Sequence, residues 1–202
     1  MDLQNSSVIF LGLVVGLLHA FDADHVMAMS TYVNKTSRFK LVLLYATRWG
    51  IGHGGVLTFL ACILILIGFQ LPQWLVHAFE MAVGVLLIYL GVRLLAAYNR
   101  AWFDKLSKRF FKHDHMPLFI GMLHGVAGSA PLLALLPNMQ HTDFMLHIAL
   151  FSMGCLVGMF LFGLGLGLIQ TRILQPHTRL SSLFTQLMGC SSIGLGGYWL
   201  IA

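Results

Sequence analysis

Charged side chains are scarce in this sequence, and their scarcity excludes a soluble domain. Only 9% of the 202 residues are charged, 58% are hydrophobic and the mean hydropathy is +0.83, whereas soluble domains average about 25% charged residues. Because so few charges cannot cover a surface that faces water, the chain has to be solvated by lipid. A soluble enzyme is therefore excluded, and we expect no catalytic residues.

Paired cysteines and alternating strand patterns are also missing. Cys62, Cys155 and Cys190 stand singly within apolar runs, so the sequence indicates no disulfide framework and no Cys-x-x-Cys pair. We expect each to serve as a small packing residue. A membrane barrel would show segments of about ten residues with alternating hydrophobicity, and the sequence has none. The sequence therefore predicts an all-α membrane protein.

Long apolar runs are what the chain has instead. Each reaches the ~20 residues that a helix needs to cross the hydrocarbon core. The runs are Val8–Val33, Leu41–Gly68, Trp74–Tyr98, Pro117–Leu136, Phe144–Gln170 and Leu180–Ile201. They predict a polytopic protein with six transmembrane helices and a single transmembrane domain over residues 1–202. The first helix is too long for a signal peptide, so we expect it to be retained.

The twelve basic side chains lie in alternate loops of this arrangement or beside them. They are found around the first, third and fifth loops, whereas the second and fourth loops and both tails have none. By the positive-inside rule, the basic loops are cytoplasmic and both termini lie outside. The pI near 9.4 follows from these residues, which set the topology, so nucleic acid is not an expected partner.

The sequence also matches itself in two halves of three predicted helices each. At a spacing of 105 residues, Gly16 and His19 of the first helix match Gly121 and His124 of the fourth. The third and sixth helices match at the same spacing, and the second and fifth at 102. Because three is an odd number, the second copy enters the membrane upside down, as in the 3+3 inverted repeats of many transporters. The predicted halves, about 1–100 and 116–202, are joined by a basic cytoplasmic loop; chance matching of common Leu and Gly is the alternative.

Four ionisable side chains, His19, Asp22, Asp24 and His25, lie within seven residues of the first predicted helix. A charge at the bilayer centre costs several kcal/mol unless it is paired, solvated or bound to metal. Imidazole nitrogens combined with carboxylate oxygens suit borderline divalent ions such as Ni²⁺, Co²⁺, Zn²⁺ and Mn²⁺. The sequence therefore predicts a metal site of these four residues, and a polar helix end at the cytoplasmic mouth is the alternative.

Helical geometry separates one member of this cluster from the rest. At 100° per residue, His19, Asp22 and His25 share one face of a helix, whereas Asp24 points away from it. Either the helix unwinds here, or Asp24 acts behind the ligands or toward a neighbouring helix.

Other polar side chains in the spans are further candidates. His53, flanked by glycines in the second helix, is predicted to be a metal ligand, with a packing role as the alternative. His124 and Ser129 are predicted pathway residues or a second half-site. Glu80 is a weaker pathway candidate, because polar residues are ordinary near the membrane surface.

The first of these segments resembles a known transporter signature. Gly16–His25 reads Gly-Leu-Leu-His-Ala-Phe-Asp-Ala-Asp-His and is similar to the His-x4-Asp-His signature of the nickel/cobalt transporter families. Arg48–Gly54 resembles the Gly-His element of the next helix in those families. Residues 121–130 and 151–159 resemble segments of the short UreH-type urease accessory membrane proteins.

The resemblance implies a divalent metal permease of the bacterial inner membrane. Nickel, or cobalt, would be the transported substrate, with no cofactor beyond the ion. The larger permeases have two more helices, and the His-rich cytoplasmic loop of many relatives is reduced here to His113 and His115.

Two other functions stay open at this point. The same scaffold could export another divalent cation such as Mn²⁺, since sequence does not give direction. A membrane thiol–disulfide relay would need paired cysteines at the site, whereas histidines occupy the matched positions 19 and 124. The energy source and the oligomeric state, homo-oligomers included, are also left open.

Overall fold

A computed structural model of the protein describes residues 3–33, 38–67, 72–96, 115–128 and 141–201. Helices form nearly all of these segments, and no strand occurs in them, which confirms the predicted all-α class. The helices are α1 (Leu3–His19), α2 (Ala23–Val33), α3 (Phe39–Ile67), α4 (Gln73–Ala96), α5 (Met116–Ala127), α6 (His141–Ile169) and α7 (Thr178–Ile201). A π-helical turn over Gln170–Leu174 continues α6.

Three helical segments in the described part of the chain are long and apolar enough to cross a membrane. They are α3, α4 and the stretch Asp143–Leu174, and α1 with α2 makes a fourth if the pair is taken as one bent span. α5 has only 12 residues, and the rest of the predicted fourth span, residues 129–136, lies outside the described residues. α7 has 24 residues but is less apolar. The chain is thus a helical membrane protein with three or four evident spans, and the count of six stays a prediction.

The described helices turn apolar side chains outward and polar ones inward. Leu66 and Ile67 are 84% and 69% exposed, whereas His25, His53 and His124 are each 1% exposed. This is the reverse of a water-soluble protein. It is the distribution expected for helices surrounded by lipid, where polar side chains face the interior of the bundle.

Glycines let the helices approach one another closely. α1 packs along α6, α5 packs along α3, and α4 packs along α7, while α3 and α6 also contact each other. At Gly16 an added Cβ would strike the backbone carbonyl of Phe151, and at Gly121 it would strike that of Trp49. Small residues at such crossings are what allows helix backbones to meet in a membrane.

The first predicted span, Val8–Val33, is broken in the middle. α1 ends at His19, α2 begins at Ala23, and the two helices are bent by 48°. Between them the Asp22 N–H donates to the carbonyl of His19 at 3.0 Å, a tight i to i+3 bond, and the Val26 N–H then resumes the α pattern by donating to Asp22. Both alternatives for Asp24 have a counterpart in the structure, because the helix opens here and Asp24 also contacts the His25 ring.

Candidate metal centre

Three histidine side chains converge at the break between α1 and α2. His19 is the last residue of α1, His25 lies in the first turn of α2, and His53 comes from the middle of α3. An unbroken helix would separate His19 from His25 by ~9 Å along its axis. Across the break, their ring centroids are 4.7 Å apart. The break therefore brings the two rings of one span together.

The nitrogens of these three rings are close enough to share an ion. Ring centroids lie 5.0 Å apart for His25 and His53 and 5.3 Å apart for His19 and His53. One nitrogen from each histidine lies within 4.8 Å of the other two. Two nitrogens bound to one ion at ~2.1 Å are at most ~4.2 Å apart. A small rotation of the rings would therefore close the set. We call His19, His25 and His53 the three-histidine group.

Four ring nitrogens of this group are buried and have no hydrogen-bond partner among the described residues. They are the Nε2 atoms of His19 and His25 and both ring nitrogens of His53. Leaving one buried polar atom unpaired costs about 1–3 kcal/mol. Native proteins seldom accept that cost several times at one place without a ligand that removes it.

The two aspartates of the cluster contact the histidines. The His19 Nδ1–H donates to Asp22 Oδ2 at 2.7 Å, and the His25 Nδ1–H donates to Asp24 Oδ1 at 3.1 Å. Each carboxylate thereby holds the proton on Nδ1 and leaves a lone pair on Nε2, as in carboxylate–histidine–metal sites. Both aspartates were predicted as metal ligands. The structure brings each to a histidine, behind the nitrogens that face the group.

A fourth histidine, which is buried, lies beside the group. His124, in α5, has its ring centroid 5.4 Å from that of His25 and 5.0 Å from that of Trp49. Its Nδ1–H donates to the carbonyl of Ile120 at 2.9 Å, and its Nε2 is buried without a partner among the described residues. His124 was predicted as a pathway residue or second half-site, and it lies next to the predicted ligands.

The remaining candidates are elsewhere. The Glu80 carboxylate lies 3.5 Å from His77 Nδ1 near the start of α4. Ser129 lies outside the described residues. The three cysteines are all free, on α3, α6 and α7, and none belongs to the three-histidine group.

Two aromatic side chains that form part of the site were missed by sequence reasoning. Trp49, fully buried, packs 6.1 Å from His25 and against His124, and Phe151 packs 5.3 Å from His19. They are repeat-equivalent positions, each one helical turn before a polar or soft position, His53 and Cys155. That shared spacing was the available signal. The two rings shield the histidines with apolar surface.

The donor set points to a chemical class of ion. Imidazole nitrogens favour borderline divalent cations such as Ni²⁺, Co²⁺ and Zn²⁺, whereas soft Cu(I) prefers sulfur and Mg²⁺ prefers oxygen. The donor set of the three-histidine group is therefore the kind that a divalent transition metal prefers.

Comparison with known proteins agrees with this geometry. The chain is 28% identical over 207 aligned positions to the urease accessory protein UreH of Bacillus sp. (strain TB-90), with 96% of this chain and 90% of that protein covered. No family model and no solved structure matches the chain. The relative is named as an accessory protein and not as an enzyme, in agreement with the prediction that this chain is not an enzyme. The match supports the resemblance drawn from the first-helix signature, since this chain is similar over nearly its whole length to a UreH protein.

Proposed function

We propose that the protein is a permease for a divalent transition metal, Ni²⁺ first and Co²⁺ second, in the inner membrane of a bacterium. The observation that carries the proposal is the three-histidine group, with its unpartnered nitrogens buried among apolar helices. Polar groups at that depth are costly and in membrane proteins usually mark the path of a substrate. Nickel, in preference to other ions that imidazole binds, is supported by the similarity to a urease accessory protein.

Within this proposal, His19, His25 and His53 bind the ion through nitrogen, and Asp22 and Asp24 orient the rings of His19 and His25. This assignment is supported by the 2.7 Å and 3.1 Å contacts to Nδ1, which leave Nε2 as the available donor. Because a proton competes with the metal for the imidazole lone pair, acidification weakens binding.

We further propose the six-span inverted repeat with both termini outside. It is supported by helix contacts that recur at repeat-equivalent positions. Gly16 meets the carbonyl of Phe151, and Gly121, its equivalent, meets the carbonyl of Trp49, the equivalent of Phe151. The same relation holds for a second pair of contacts, Gly52 with Leu118 and Gly154 with Leu13.

The contact of α4 with α7 supports the same arrangement. Gly84 approaches the carbonyl of Gly196, and Gly91 approaches that of Gly189, at 2.9 Å and 2.6 Å from an added Cβ. Gly84 matches Gly189 in the repeat and Gly91 matches Gly196, so exchanging the two halves converts each of these contacts into the other. The Ser192 hydroxyl donates to the carbonyl of Leu87, 105 residues earlier, at 2.8 Å. A bond between equivalent positions is expected on the pseudo-two-fold axis that relates inverted repeats.

Alternating access would then be a rocking of one half against the other around the metal site. The three-histidine group belongs to the first half, and α5 and α6 of the second half pack against the helices that hold it. A change in that packing would change which side of the membrane reaches the site.

The alternatives are less well supported. Export of Mn²⁺ would be expected to use oxygen ligands, whereas the unpartnered atoms facing the group are nitrogens. A thiol–disulfide relay would need two cysteines together at the site, and the three cysteines lie on different helices.

The test is the nickel and cobalt content of cells that express the protein. Cells with the wild-type chain should accumulate more metal than cells without it, and His25→Ala should abolish the difference. His177→Ala is the matched control, because His177 is exposed at the end of the π-helical turn and away from the group. Equal metal content in cells with the wild-type chain and cells with His25→Ala, at equal expression, would overturn the proposal. Reduced metal content in wild-type cells would instead favour export.

A further inference from the structure

His124 differs from His19 and His25 in what lies behind its ring. The rings of His19 and His25 are each backed by a carboxylate, whereas the His124 Nδ1–H donates to a neutral backbone carbonyl, that of Ile120. A carboxylate raises the basicity of the opposite nitrogen and so strengthens a metal bond. His124 is therefore a ready ligand, with Nε2 unprotonated and buried, but a weaker one than His19 and His25.

We propose that His25 and His124 form a second, transient binding position for the ion. The ion reaches it from the three-histidine group by staying bound to His25 while its other ligands are exchanged. The proposal rests on the permease function and adds a step to it. The ion would first bind between α1, α2 and α3, in the first half of the chain. Transfer would then carry it to α5, in the second half.

The geometry favours a second position over a fourth permanent ligand. One nitrogen each from His19, His25 and His53 lies within 4.8 Å of the other two, and His124 does not belong to this set. His124 instead adjoins it at His25, with ring centroids 5.4 Å apart. The ion would have to leave the middle of the group to engage His124.

The chemistry of His25 favours a transfer over two ions bound at once. Asp24 holds the proton on Nδ1 of His25, so the ring offers one lone pair, on Nε2. One lone pair binds one ion. His25 can therefore serve the two positions only in turn, by exchanging the other ligands of the same ion.

Packing connects this transfer to movement of the halves. Gly125, next to His124, would place an added Cβ 2.8 Å from the carbonyl of His53, and Gly121 lies against the carbonyl of Trp49. α5 thus touches the backbone that carries His53 and Trp49. A shift of α5 along α3 would change the distance from His124 to the group directly.

The inverted repeat explains why the second position is weak. His124 is the equivalent of His19, but the equivalents of His25 and His53 are Ala130 and Cys155. The second half therefore lacks the donors for a complete site of its own. The second position therefore uses His25 of the first half together with His124. The ion is released from this position more easily than from the three-histidine group.

The experiment compares binding with transport in purified full-length protein. His124→Asn removes Nε2 while its amide can still donate to the Ile120 carbonyl. Ni²⁺ affinity is measured in detergent, and Ni²⁺ uptake is measured in proteoliposomes. His177→Asn is the control, because the His177 Nδ1–H makes the same 2.9 Å bond to a carbonyl four residues earlier, that of Ile173.

We expect His124→Asn to keep the wild-type Ni²⁺ affinity within about threefold and to slow uptake about tenfold or more, the effect of a barrier raised by one lost ligand. His53→Asn should lose binding and uptake together, and His177→Asn should lose neither. Uptake at the wild-type rate by His124→Asn would overturn the transfer step. Loss of affinity that matches His53→Asn would also overturn it, since His124 would then be a permanent ligand.

A spectroscopic measurement on the wild-type protein keeps the test independent of any variant's folding. X-ray absorption at the nickel edge should find three imidazole ligands in the resting state, and four would contradict the proposal. Wild-type proteoliposomes that bind Ni²⁺ but never transport it would remove the permease function itself, together with the transfer step that rests on it.

Discussion

At the scale of single residues, five ionisable side chains meet at the break between α1 and α2. His19 and His25 each contact an aspartate on one side and leave a lone pair on the other, and His53 adds two unpartnered nitrogens. The spacing of these residues could be seen in the sequence, but which atoms contact one another could not. Asp22 and Asp24 were predicted as ligands because carboxylates bind metals, and their contacts to Nδ1 become visible only when the ring orientation is known.

The orientation of His25 leads to a prediction about Asp24. Asp24→Asn removes the charge behind the His25 ring and frees its tautomer, so Ni²⁺ affinity should fall about 10- to 100-fold. Asp22→Asn should cost less, because the Asp22 side chain is 54% exposed and that of Asp24 is 17% exposed. Titration of the purified proteins with Ni²⁺ measures both effects. Equal affinities for the wild-type and Asp24→Asn proteins would show that the ring does not depend on Asp24.

At the scale of the helices, the break in the first span is what builds the site. Val8–Val33 has the length and composition of one transmembrane helix, and it contains neither Gly nor Pro between His19 and Ala23 to announce an interruption. The only hint in the sequence was that Asp24 fell on the wrong face of a continuous helix. Kinks that are not encoded locally have to be held by the surrounding packing, here by α6 against α1 and by α7 and α4 against α2.

The glycine contacts of α5 with α3 lead to a second prediction. Gly121→Ala places a methyl group against the carbonyl of Trp49, so it should destabilise the protein by about 1–3 kcal/mol. Gly55→Ala is the matched control, because an added Cβ there meets nothing within 4 Å. At that position Ala should stabilise the helix by about 0.5–1 kcal/mol. Thermal unfolding in detergent measures the sign of each change, and a shift in the same direction for both would contradict the packing argument.

At the scale of the whole molecule, the chain is a bundle that hides polar groups and exposes apolar ones. Composition alone predicted this distribution, since so little charge could not cover a water-facing surface. The inverted repeat is predicted from matching residues, and the close contacts of Gly16, Gly52 and Gly84 support that prediction through the positions matched to them. The number of spans and the side of each terminus are predictions that the apolar helices alone do not test.

The positive-inside rule leads to a prediction about topology. In a cysteine-free background, Asp2→Cys and Ala202→Cys should react with a membrane-impermeant maleimide in cells whose outer membrane alone is permeable. Ser37→Cys, in the first basic loop, should react only after the inner membrane is opened. Labelling of Ser37→Cys in intact inner membranes, or opposite sides for the two termini, would contradict the six-span arrangement.

The sequence was sufficient for those properties that follow from local composition and spacing. Lipid solvation follows from the lack of charge, helicity from the length of the apolar runs, and a cluster of candidate metal ligands from the cost of His and Asp at that depth. Each of these is a property of a segment, so no long-range contact is needed to infer it.

The identity of the neighbours depended on packing between segments distant in the chain. His53 meets His19 and His25, and His124 adjoins His25. Trp49 and Phe151 cover these rings. All of these contacts follow from how α3, α5 and α6 pack around the broken first span. Helix crossings in a membrane are set by the fit of small residues on two surfaces at once. A single sequence records only one surface at a time, which is why the ligands could be proposed from it but their arrangement could not.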